Sequence, residues 1–149
     1  MCNFSEIQAK IDFIEIITNK KISEESSYLE QINFIRQGVD IKNAECLRIE
    51  LGWSLRVFSS AIRTNNSSYI RYKKELKPLN TNLSENVFEI AKFTSFCLDY
   101  FENIEQFNVW LNTPSLQFDC KRPLTLIDTI AGRESIKNTI NMLKYGYNA

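Results

Sequence analysis

Trp110-Leu111-Asn112-Thr113-Pro114-Ser115, then Arg122-Pro123-Leu124-Thr125-Leu126-Ile127-Asp128-Thr129, then Gly132-Arg133 and Leu143-Lys144-Tyr145-Gly146 punctuate the C-terminal part of the chain. The apolar pair Trp110-Leu111 closes a short helix over about 104–111, and Pro114 just beyond it prevents continuation. Residues 114–122 read as a loop. Pro123 suits the first turn of a new helix, because its fixed φ is already helical and its missing N–H has no partner there in any case. That helix is expected to run to about Ile130. Gly132 punctuates, and a last helix over about 133–145 turns Ile136, Ile140 and Leu143 inward before Gly146 caps it.

Working toward the N-terminus, the same period recurs. A long helix starts at Asn82 or Ser84 and reaches about Tyr100, with Phe88, Ala91, Phe93, Phe96 and Tyr100 on its buried side. Two short helices are expected over 54–74. Ser54 caps the first, which buries Leu55, Phe58 and Ile62, and Pro78 stops the second. A helix over about 43–51 ends at Gly52. Another runs from Ser23 or Glu24 to Gln37, with Gly38 as C-cap and Tyr28, Leu29, Ile32 and Ile35 as its buried face. The first helix spans about 5–20. Ser5 and Gln8 make a capping box, and Ile7, Ile11, Ile14 and Ile17 make its stripe. No alternating segment reads as a strand. The fold expected is all-α: a small multi-helix protein.

Composition agrees. Four glycines and three prolines in 149 residues are too few for the turns of an all-β or doubly wound fold. No basic and apolar leader precedes the first helix and no apolar run approaches the ~20 residues of a membrane span, so a cytoplasmic protein without a membrane role is expected. Cys2, Cys46, Cys97 and Cys120 are far apart and form no CxxC pair, which reads as free thiols in a reducing compartment. The chain has no histidine, so a Ser-His-Asp triad and a Cys-His pair are excluded, and a zinc site is not expected. Carboxylate pairs such as Glu102/Glu105 and Asp99/Glu102 are explained by a solvated helix face. With no phosphate loop or dinucleotide fingerprint, the expectation is no enzyme, no catalytic residue, no metal and no cofactor.

Net charge is zero but unevenly spread. Residues 53–78 hold Arg56, Arg63, Arg71, Lys73, Lys74 and Lys77 against Glu75 alone, while both flanks are acidic. Such an island fits a local nucleic-acid contact, and it equally fits a solvated helix face. Residues 55–74 also have the layout of a helix-turn-helix: a support helix, the polar turn Thr64-Asn65-Asn66-Ser67, and a second helix. Ser67, Ser68, Arg71, Tyr72, Lys73 and Lys74 are its candidate DNA-contacting residues. Arginine can read guanine bidentately; serine, tyrosine and lysine more often meet the backbone. Such turns often use a glycine at positive φ, and here Arg63-Thr64-Asn65 fill that stretch.

The WL-x-x-P, P-L-x-x-L, T-x-x-G and Y-G elements between Trp110 and Gly146 resemble the toxin-binding domain of the Xre/MbcA/ParS antitoxins. The resemblance extends upstream through Phe58-Ser59, Ser68-Tyr69-Ile70-Arg71 and Leu83-Ser84-Glu85, covering about residues 35–148. Two departures stand out. Asp119-Cys120 replace a Gly-Gly-like pair before Pro123, and Arg63 replaces the glycine of the helix-turn-helix turn. The resemblance implies three segments: N-terminal helices over 1–38, usable for dimerisation; an Xre-like helix-turn-helix region over 39–100; and a toxin-binding domain over 101–149.

It also implies an antitoxin of a type II system that binds and inhibits a RES-type, NAD-consuming toxin and autoregulates its operon through promoter DNA. The expected assembly is a homodimer or a hetero-oligomer with the toxin. The alternative is a stand-alone helix-turn-helix regulator without a toxin. On the last helix and tail, Asn138, Asn141, Lys144, Tyr145, Tyr147 and Asn148 are the candidate toxin-binding residues. The two tyrosines are the preferred anchors, because a tyrosine combines large contact area with a hydrogen-bonding tip.

Overall fold

The computed structural model describes residues 12–146. The fold is all-α: among the described residues there are eight α-helices and no strand. The helices are α1 (Phe13–Thr18), α2 (Tyr28–Gln37), α3 (Ile41–Leu51), α4 (Leu55–Ala61), α5 (Asn66–Glu75), α6 (Thr81–Leu98), α7 (Ile104–Leu111) and α8 (Ile130–Lys144). Short polar residues start them. Asp12, Ser27, Asp40, Ser54, Asn65, Asn80, Asn103 and Thr129 each accept a backbone N–H of the first turn. The expected box at Ser5 and Gln8, with Ile7 and Ile11, lies outside the described residues.

The central element is α6, which packs against α1, α2, α7 and α8. Its Val87, Phe88, Ile90, Ala91 and Phe93 are buried together with Ile14, Ile17, Leu47, Phe58, Phe107, Ile136 and Ile140 in one continuous core. Polar groups are placed where α6 meets its neighbours. The Ser95 hydroxyl accepts the Phe13 N–H (2.9 Å), and the Ser84 hydroxyl accepts the Val39 N–H (2.8 Å) while donating to the Leu79 carbonyl (3.0 Å). Phe96 is only half-buried and Tyr100 lies exposed beyond the helix end, so the aromatic stripe is narrower than its period suggests.

Three expectations need correction. First, α2 begins at Tyr28, after a Ser27/Glu30 capping box, and not at residues 23–24. Tyr28 (80 % exposed), Leu29 (72 %) and Ile32 face outward; Gln31, Phe34 and Ile35 make the inner side. Second, Pro123 begins a short 3-10 turn, Pro123–Leu126, and not an α-helix. Third, Gly132 lies inside the first turn of α8, which starts at Ile130. A Cβ there would sit 1.8 Å from the Leu126 carbonyl oxygen. The glycine permits the closest approach between α8 and the preceding turn.

Candidate functional site

Two regions carry the candidate residues: the α4–α5 pair and the C-terminal unit of α7, its following loop and α8. Between α4 and α5 the turn is made by Ile62, Arg63, Thr64 and Asn65, and Arg63 takes the left-handed conformation (φ 65°). Asn65 stays extended (φ −112°) and caps α5 by accepting the Ser68 N–H at 2.8 Å. The Thr64 N–H bonds to the Ser59 carbonyl at 2.9 Å. Beneath the turn Phe58 and Tyr69 meet edge-on with ring centroids 5.7 Å apart. Both rings are fully buried, which fixes the angle between the two helices.

On α5, Ser67, Arg71, Lys73 and Lys74 are exposed, whereas Ser68 and Tyr72 are half-buried. Lys73 is already engaged, its ammonium lying 2.8 Å from the Glu45 carboxylate of α3. Glu45 also takes Arg48 (2.7 and 2.9 Å) and the Tyr69 hydroxyl (3.0 Å). These partners, the Arg48 guanidinium first, hold the Glu45 carboxyl down at about 2 against the opposing effect of burial. Burial, with the Glu45 charge beside it, pushes the Tyr69 phenol up. Arg56, Arg63, Arg71, Lys74 and Lys77 are further exposed cations of this region. Sequence reasoning missed the Glu45 cluster, because Tyr69 and Lys73 lie 24 and 28 residues from Glu45 and only Arg48 stands at helical spacing to it.

In the C-terminal unit, Trp110 stacks edge-on against the buried Phe118 (6.3 Å) and tilts against Phe101 (5.5 Å). The loop between α7 and the Pro123 turn is closed by an antiparallel bridge between Ser115 and Lys121. Asp119 (φ 54°) and Cys120 (φ 62°) are both left-handed, the conformation that a glycine pair would adopt without strain. Thr129 caps α8 by accepting the Gly132 N–H at 2.9 Å, so the T-x-x-G element is a helix start joined to a close approach. Arg133 is half-buried and donates to the Ile127 carbonyl at 2.8 Å; burial lowers its pKa.

Of the candidate toxin contacts, Asn138 and Tyr145 (75 % exposed) are open to solvent, and Asn141 is half-buried. Lys144 reaches back to Asp99 at 2.8 Å and lies over the Phe96 ring, which fastens the end of α8 to α6. Tyr147 and Asn148 lie outside the described residues. Cys46 and Cys120 are exposed free thiols, whereas Cys97 is buried and its thiol pushed up by that burial. Among the described residues no cluster of Cys, Asp or Glu could hold a metal, and no helix is long and apolar enough to cross a membrane.

The C-terminal unit is joined to the preceding helices by Asn108. Its side chain accepts the Trp53 indole N–H (2.9 Å) and donates to the Leu51 carbonyl (2.8 Å). Two clefts border the C-terminal unit elsewhere. One, of about 460 Å³, is lined by Arg63, Glu89, Lys92, Arg133 and Glu134 among others. The other, of about 490 Å³, runs between α4 and the Pro123 turn and is lined by Arg56, Asn112, Arg122 and Asp128 among others. Both are shallow and of mixed charge.

None of the curated proteins compared with the chain matches it. Residues 98–146, from the end of α6 through α7, the bridged loop and α8, match the family model of the antitoxin Xre/MbcA/ParS C-terminal toxin-binding domain. The C-terminal third of the chain is thus similar to the Xre/MbcA/ParS toxin-binding domain, and the role this supports is that of an antitoxin in a toxin–antitoxin pair.

Proposed function

We propose that the protein is the antitoxin of a type II pair, that it inhibits a RES-type, NAD-consuming toxin through residues 101–149, and that it represses its own operon through α4 and α5. The observation that carries the reading is the match over 98–146. Such an inhibitor needs only a rigid surface that covers a pocket. The end of α8 suits this, because Lys144 holds it to α6 while Tyr145 and Asn138 stay open to solvent. The reading places Asn138, Asn141, Lys144, Tyr145, Tyr147 and Asn148 against the toxin.

Co-expression with the product of the neighbouring gene tests it. The full chain should form a stable complex and rescue growth. A chain lacking residues 144–149 should stay folded and lose the rescue. Continued neutralisation by the truncated chain would remove the tail from the mechanism, and no complex with the full chain would remove the antitoxin reading.

A second reading, a regulator without a toxin, draws on the exposed Arg71 and Lys74 of α5. Under either reading the helix pair would meet promoter DNA. Binding in a mobility-shift assay should then fall steeply with salt, because phosphate neutralisation releases counterions. Arg71→Ala with Lys74→Ala should weaken it about tenfold or more. Unchanged binding would move the reader elsewhere.

A further inference from the structure

The loop between α7 and the Pro123 turn exposes Leu116 more fully than any other large apolar side chain described, at 86 %. It is held rigidly. The Ser115–Lys121 bridge closes its base, and the Cys120 N–H returns to the Ser115 carbonyl at 2.9 Å. The Ser115 hydroxyl caps the turn over Leu116–Phe118, and Phe118 is driven under Trp110. Asp119 and Cys120 both sit at positive φ, a strain on the order of 1–2 kcal/mol each for residues with a side chain. A loop that keeps two strained residues, buries its aromatic and turns its leucine outward has the form of a preorganised binding knob. Lys121 and Arg122 are exposed on its returning arm, and Arg56 lines the adjoining cleft.

From this arrangement we infer that Leu116 is an anchor of the toxin interface, seated in an apolar pocket of the toxin whose rim carries carboxylates. The occupant is argued from position: the loop lies inside the segment matched as toxin-binding, between its two helices. The contact is separate from the tail of α8, so the interface has two points of attachment. It rests on the antitoxin reading. An exposed leucine costs hydrophobic free energy in the free protein and recovers it only when a partner covers it. The hydrogen-bonded backbone beneath it means that little loop freedom remains to be lost on binding.

The test is the affinity of the full chain for the neighbouring gene's toxin, measured for the wild type, Leu116→Asp, Leu116→Ser, Leu116→Met and the distant surface variant Tyr28→Asp. Leu116 is so exposed that the melting temperatures should coincide; the serine variant serves if the aspartate disturbs the loop. Leu116→Asp should weaken the complex about 30-fold or more, chiefly by faster dissociation, as for an interface anchor. Leu116→Met and Tyr28→Asp should remain within about threefold of wild type. Lys121→Glu should slow association, with the loss shrinking at high salt. If the wild type binds and Leu116→Asp binds as well, the inference fails alone. An equal loss in Tyr28→Asp overturns it too, because the effect is then not local. If the wild type does not bind, the antitoxin reading fails and takes the inference with it.

Discussion

Gly132 shows how one missing side chain sets a junction. The 1.8 Å approach that a Cβ would make to the Leu126 carbonyl cannot be relieved by a rotamer change, because the obstacle is backbone. Gly132→Ala should therefore lower stability by about 3 kcal/mol or more, read as a large drop in melting temperature, whereas an alanine in an ordinary helix would raise it. A melting temperature at or above wild type would mean that α8 can slide off the Pro123 turn without penalty. The residue was recognisable in the sequence as special, but its reason was not. A glycine between two apolar runs reads as punctuation, and only the path of the chain shows a carbonyl in the space of its Cβ.

The carboxylate of Glu45 gathers the polar contacts between α3 and α5. Its pKa is held at about 2 from an ordinary 4.5, so the folded state binds its proton less readily than the unfolded chain. The stabilisation is present above the unfolded value and is lost as pH falls through the folded one. Between about pH 5 and pH 2 the wild type should lose up to about 3 kcal/mol from this group, less where salt screens the half-exposed Lys73. Glu45→Gln should be less stable at neutral pH and show a flatter acid limb in a denaturation series. An unchanged limb would assign the acid sensitivity to other carboxylates.

Local signals identified most helices, because Ser54, Gly38, Gly52 and Pro78 act within one turn of themselves. The inward face of α2 was not legible. Tyr28, Leu29 and Ile32 have as good a period as Phe34 and Ile35, and the choice between them is made by α6. The candidate DNA residues fall on one helix as expected, but the capture of Lys73 by a glutamate on α3 is a tertiary fact. In the same way Lys144 was legible as a polar end of α8, while its tie to Asp99 was not.

The core runs without interruption from Phe13 to Ile140, and Asn108 ties the C-terminal unit to Leu51 and Trp53. The matched segment should therefore not unfold independently. Far-UV and near-UV signals should lose structure in one coincident transition, and Asn108→Ala should lower stability by about 1–3 kcal/mol by removing the partner of the Trp53 indole N–H and of the Leu51 carbonyl. Two separated transitions would mean that the two parts melt alone. The hydrogen bond from the Phe13 N–H to the Ser95 hydroxyl spans 82 positions and has a further consequence for the chain during synthesis. Phe13, Ile14 and Ile17 can meet α3 early, but they gain their other cover only when α6 has left the ribosome. At ~5–20 residues per second that leaves the nascent N-terminal helix without its α6 cover for about 5–15 s. Throughout that interval it is open to proteases and chaperones, and a newly started chain offers its partner nothing until nearly all of it has been made.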